Sequence, residues 1–123
     1  MSLGTALRRV FTKPYDKVTP VQAAALVDKG GFLLDVREPH EWRAGHAPGA
    51  RHIPLGQLHQ RMSQLPTGRP VVTICRSGSR SARAAAVLAN EGRQVSNLAG
   101  GVHAWARAGL PIVAQGGGPG RIA

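Results

Sequence analysis

Apolar positions in this chain come in short runs that alternate with longer stretches of helical spacing, and Gly and Pro mark most of the joints. Thr19 before Pro20 is a helix start, because a Thr side chain caps free amides and Pro suits the first turn. The segment VQAAALVDK carries that helix to Gly30-Gly31, where it stops. Phe32 to Val36 then reads as a buried strand closing on an acid, Asp35. A polar stretch punctuated by Pro and Gly follows through Gly49, with a helical turn around Glu41-Trp42. Arg51-His52-Ile53 is read as a short strand and Pro54 to Gln64 as a short helix. Pro70 to Ile74 is the clearest strand, β-branched and bounded by turn residues. It runs through CRSGSRS into the helix ARAAAVLANEG, which Gly92 stops. Val95 to Leu98 is a further strand, Ala99-Gly100-Gly101 a turn, and VHAWARAG a last helix ending near Pro111. Strands interleaved with helices predict an α/β domain with a mainly parallel sheet. The boundaries expected are an N-terminal segment over 1–16, one domain over 17–113, and a Gly-rich mobile tail over 114–123.

Composition narrows the picture. A length of 123 residues suits one domain, large enough to fold without disulfide or metal staples. Aromatics are scarce, so the core is expected to be aliphatic and alanine-rich. The one cysteine, Cys75, excludes an internal disulfide and fits a reducing, cytoplasmic setting. No apolar run approaches the ~20 residues of a membrane span. The opening MSLGTALRRVFTKPYDKV has no uninterrupted apolar stretch after its first basic residues, so it does not read as a signal peptide. The net charge of +10 comes mostly from arginine, spread along the chain without a dense run. No stacking aromatics are interleaved with these arginines, so a nucleic-acid partner is not expected. A positive field of this kind draws in small anions.

The chemistry centres on strand, then Cys75-Arg76-Ser77-Gly78-Ser79-Arg80, then helix. In an open α/β sheet, ligands gather at the carboxyl ends of strands. The helix that follows aims its free amides and positive dipole end back at the sulfur. Arg76 and Arg80 add two cations, and together these features should depress the thiol pKa below its free value. Gly78 lets the loop curl, while Ser77 and Ser79 are small enough for amides to face inward, giving a cradle for an anion at the sulfur. Two reactions use such a loop: phosphoryl transfer to cysteine and sulfur transfer through a persulfide. Cysteine phosphatases carry C-x5-R, usually with a histidine before the cysteine. Here the spacing is C-x4-R, Ile74 precedes Cys75, and the sixth position after the cysteine is Ser81. The shorter loop suits one extra sulfur atom better than a phosphoryl group.

With that loop in place, the sequence closely resembles the rhodanese family. LLDVREPHEW is similar to the family's strand ending in Asp-x-Arg, here Asp35 and Arg37. AGHAPGARHIPL resembles its Gly-His-x-Pro-Gly-Ala segment, and LAGGVHAWARAGLPI its closing Gly-Gly-x-x-x-Trp element. The resemblance covers about residues 17–113. It implies a three-layer fold with a central five-stranded, mainly parallel sheet flanked by helices. It also implies a sulfurtransferase in which Cys75 takes sulfur from a small anionic donor such as thiosulfate and passes it to a thiol or cyanide. The amides from Arg76 to Arg80 would stabilise the persulfide. Arg76 and Arg80 would bind the donor's anionic end. No cofactor is implied. A sulfur-carrier or regulatory module of the same fold is the alternative, and a phosphatase or arsenate reductase is disfavoured by the loop spacing.

Asp35 and Arg37 lie at a neighbouring strand end and are expected to hold the loops by ion pairing rather than to touch substrate. Glu41 is a candidate partner for Arg37. His40, His46, His52 and His59 have spacings that share no helix face, so no metal site is expected. Trp42 and Trp105 read as packing residues, and Gly49, Gly100 and Gly101 as turn devices.

Overall fold

The computed structural model describes residues 14–123. Most of the opening segment discussed above, residues 1–13, lies outside the described residues. Five parallel strands form one sheet in the order β1-β5-β4-β2-β3. These are β1 (Asp16–Val18), β2 (Phe32–Asp35), β3 (Arg51–His52), β4 (Val71–Ile74) and β5 (Val95–Leu98). Helices α1 (Pro20–Asp28), α2 (Pro39–Ala44), α3 (Ser79–Asn90) and α4 (Gly101–Arg107) connect or flank them. The architecture is the α/β sandwich expected from the alternation of elements.

The central strand β4 is buried along its whole length and pairs with β2 on one side and β5 on the other. Side chains alternate across a strand. Val72 and Ile74 enter one core cluster with Ala23 of α1 and with Val102 and Trp105 of α4. Val71 and Cys75 enter the other, with Ala84, Ala85 and Leu88 of α3. The period of two therefore sends the cysteine to the α3 side of the sheet.

Three expectations change. β1 was not foreseen: Asp16–Val18 has no strand signature of its own and exists through its pairing with β5. Pro54 to Gln64 forms two 3₁₀ turns, Leu55–Gln57 and Met62–Gln64, rather than one helix. They let Leu58 and Leu65 reach the α3-side core without a continuous helix.

The third change is the Gly-rich segment, which lies against the domain instead of extending as a free tail. Val113 and His46 exchange backbone hydrogen bonds, each 2.9 Å. Arg121 N donates to Ala44 O at 2.9 Å, and Ile122 packs on the α1/α4-side core. Glycine, weak where it has no contacts, here allows backbone to lie close on backbone.

Candidate active site

Cys75 follows the last residue of β4, and Gly78 in the left-handed region (φ 115°) turns the chain into α3. The side chain is almost wholly enclosed, with 1% of the residue's surface exposed. Gly78 N–H donates to Sγ at 3.1 Å and the hydroxyl of Ser81 donates to it at 3.2 Å. Burial pushes the thiol up, but hydrogen bonds from the Ser81 hydroxyl and from the amides of Ser81, Gly78 and Ser77 outweigh it. They leave the thiol below its ordinary pKa. The lowering expected from the sequence is present, but its leading cause is this set of short-range donors rather than the arginines.

In the sequence, Ser81 stands out only as the residue in place of a phosphatase arginine, not as a partner of the sulfur. It is buried in the first turn of α3, three residues after Gly78, and that turn faces back toward the strand end. Its hydroxyl also lies 3.2 Å from Gly78 O. One proton serves two acceptors, so its direction can follow the charge on the sulfur. Asn97 of β5 is a second missed residue. Its Nδ2 donates to Gly78 O at 3.2 Å, and Thr73 of β4 donates to its Oδ1 at 3.2 Å.

The loop is also held from the far side. Val102 N donates to Cys75 O at 2.8 Å and His103 N to Arg76 O at 3.3 Å. Gly101 makes this approach possible, since a Cβ there would overlap Cys75 O and lie 2.6 Å from Arg76 O. Its φ of 60° also favours glycine. Ser77 and Ser79 are exposed, and Ser77 and Gly78 form part of a pocket of about 180 Å³ that Lys17 and Asn97 also line.

The arginines are placed differently from expectation. Arg80 is not free for a donor: its guanidinium forms a two-pronged ion pair with Glu41 of α2, at 2.6 and 2.8 Å. Arg80 holds the Glu41 carboxyl down at about 2. Glu41 is therefore not the partner of Arg37. Arg76 is exposed and donates from Nε to Ala123 O at 3.0 Å. Arg37 is fully buried and pairs with Asp35, Nη2 to Oδ2 at 2.8 Å, while also donating to Gly45 O at 2.7 Å. That ties the end of β2 to the loop before β3. Both His46 and His52 stack on Trp42, with ring centroids 3.5 and 4.9 Å apart, and each anchors a backbone carbonyl.

The family pattern for a rhodanese-like domain matches residues 19–108. The chain belongs to the rhodanese-like family. Its relatives include a sulfurtransferase of Allochromatium vinosum, 49% identical over 84 residues, which are 68% of this chain and 78% of that one. The thiosulfate sulfurtransferase GlpE of Ectopseudomonas mendocina is 35% identical over 98 residues, covering 79% of this chain and 89% of the relative. Among solved structures, a rhodanese-related protein from Thermoplasma volcanium superposes with a TM-score of 0.76 at 29% identity. That match covers 80% of this chain and 98% of the other. A rhodanese-like domain with sulfurtransferase relatives thus carries its one cysteine at the mouth of the central strand. Among the described residues no helix is long and apolar enough to cross a membrane.

Proposed function

We propose that this rhodanese-like domain moves sulfane sulfur from a donor, such as thiosulfate or an organic persulfide, to a thiol or cyanide acceptor through a persulfide on Cys75. The observation that carries the reading is the hydrogen-bonded sulfur, with Gly78 N–H at 3.1 Å and Ser81 Oγ at 3.2 Å on an otherwise enclosed side chain. These donors lower the thiol pKa and so favour the attacking thiolate.

In the first half-reaction the Cys75 thiolate attacks the outer sulfur of the donor. The Sγ–S bond forms as the donor's S–S bond breaks, and that bonding pair leaves with the inner sulfur group, as sulfite from thiosulfate. In the second, a thiolate or cyanide attacks the outer persulfide sulfur. The Sγ–S pair then returns to Cys75 as thiolate. Charge builds on sulfur at both stages, and the donors of the loop and of the α3 N-terminus are fixed in advance to meet it. The Asp35–Arg37 pair supports the neighbouring loop without meeting the reacting atoms. The cysteine has no second thiol in its own chain to resolve it, so the acceptor comes from outside, in keeping with a reducing, cytoplasmic setting.

The test is intact mass after incubation with thiosulfate and, separately, with a polysulfide, using Cys75→Ser as the control. A gain of one sulfur on the wild type alone, followed by thiocyanate on adding cyanide, is expected. Gain without turnover would convert the reading to a sulfur carrier. No gain from either donor would refute it.

A further inference from the structure

A cationic groove borders the sheet edge at β3, and no residue of the catalytic loop lines it. β3 closes the sheet and pairs only with β2. Two adjoining cavities of about 450 and 320 Å³ share Trp42, His52 and Arg61. The first adds Arg51 and the rest of the edge strand, and the second adds Arg43 of α2. Three arginines therefore line one groove, and no Asp or Glu lines either cavity.

The charge of this groove is not cancelled from within. The ion pairs among the described residues, Arg37 with Asp35 and Arg80 with Glu41, involve other arginines. Arg43 and Arg51 are exposed. Arg61 donates to the side-chain carbonyls of Gln57, at 2.9 Å, and Gln64, at 3.1 Å, neutral acceptors that leave its charge in place. Residues 1–13, outside the described residues, add Arg8, Arg9 and Lys13 but no acid. The backbone supplies a second feature. Ile53 N donates to Asp35 O at 3.0 Å, so alternation along the strand turns the His52 N–H and C=O to the open side. An edge of this kind accepts one more strand. The nearby rings are already engaged: His46 and His52 stack on Trp42, and Arg69 lies 5.5 Å over the Phe32 ring. Nucleic-acid bases find few free rings to stack on, whereas an extended peptide needs none.

We propose that the β3 edge is a docking site for an acidic, extended segment of a partner protein. The segment pairs its backbone with His52 and sets its carboxylates on Arg43, Arg51 and Arg61. Every second side chain of a strand falls on the same side, about 7 Å apart, so acids alternating with neutral residues present their carboxylates together. α2 carries Trp42 and Arg43 to this groove and Glu41 to Arg80, so the partner docks one short helix from the reactive loop. The association makes and breaks no covalent bond, and it stands whether or not Cys75 carries sulfur.

The experiment follows the fluorescence anisotropy of a dye-labelled eight-residue peptide of alternating Glu and Thr, titrated with the full chain at physiological salt. A Gln-Thr peptide of the same length and a single-stranded thymidine oligonucleotide are run beside it. Arg43→Gln, Arg51→Gln and Arg61→Gln combined should weaken binding of the Glu-Thr peptide roughly ten- to a hundredfold, from a roughly two- to fivefold factor for each exposed charge pair. Lys29→Gln, Arg83→Gln and Arg107→Gln combined remove the same charge from other exposed positions. That control should weaken binding less than about threefold, because salt screens distant charges. Each groove arginine changed alone serves should the combined variant not fold. Exchange at the His52 amide, followed by NMR, should slow in the complex. Absence of binding, equal losses in the two combined variants, or a Gln-Thr peptide held as tightly as the Glu-Thr peptide would each overturn the proposal. So would unchanged exchange at His52, or a tighter complex with the oligonucleotide that depends on the same three arginines.

Discussion

Replacing Ser81 by alanine isolates one donor to the catalytic sulfur. The hydroxyl lies 3.2 Å from Sγ in a buried setting, and the Gly78 amide remains as a second donor in the variant. A hydrogen bond to a charged group contributes about 1.5–3 kcal/mol. One pKa unit corresponds to about 1.4 kcal/mol, so the thiol should rise by about one to two units. The sign follows from the donor favouring thiolate over thiol. Gly78 O keeps Asn97 as a partner, so the fold should tolerate the change. The assay is the pH dependence of the iodoacetamide rate. Its inflection should move up by about one to two units, cutting the rate at neutral pH. The plateau at high pH should move the other way, because a more basic thiolate is the better nucleophile. A Brønsted slope of about 0.4–0.5 gives a roughly three- to eightfold faster plateau. An inflection that stays in place in a folded variant would refute the assignment of Ser81 as the main lowering contact.

Other expectations concern the supports of the loop. Glu41→Gln should flatten the acid limb of stability. The folded carboxyl titrates at about 2 against an ordinary 4.5, so its pairing with Arg80 stabilises fully above about 4.5 and is lost as pH falls toward 2. Urea midpoints measured across that window should fall less steeply in the variant, and parallel curves would contradict the pairing. Gly101→Ala should cost at least the ~1–2 kcal/mol of a left-handed alanine, plus the overlap with the Cys75 carbonyl. Gly92→Ala, at φ 83° with nothing within 4 Å of the added carbon, should cost only the first part. Equal urea midpoints for the two variants would count against the close approach.

What the sequence made legible were features that residues declare locally. The run from Val71 to Ile74 is β-branched and bounded by turn residues, and it is the buried central strand. Thr19 caps α1 and Pro20 opens it, as read, and Gln22 completes a capping box with Thr19. Cys75 ahead of a Gly-containing turn and an alanine-rich helix placed the reactive group at a strand end. Contacts between distant positions were not legible. Charge alone could not say that Arg80 would meet Glu41, 39 positions away, rather than a substrate. Asp16–Val18 carries no strand pattern because an edge strand this short is made by its neighbour. Ser81 was visible as a helix residue, and counting its place in the first turn after Gly78 would have pointed it at the sulfur. The 114–123 segment shows the same limit: its glycines suggest freedom, whereas the backbone of Arg121 lies close on Gly45 and that of Gly120 on Val113.

The clamp on the catalytic loop ties the lifetime of the site to that of the fold. The Cys75 carbonyl is taken by Val102 N of α4, while β4 behind it is bonded to a strand on either side. Opening the loop therefore means breaking into the middle of the sheet or lifting α4, not fraying an end. Hydrogen exchange at the Val102 amide should therefore be slow, requiring α4 to lift from the loop or the sheet to open. The accessibility of the catalytic sulfur is thereby set by elements packed across the sheet, and not by the loose end of a chain.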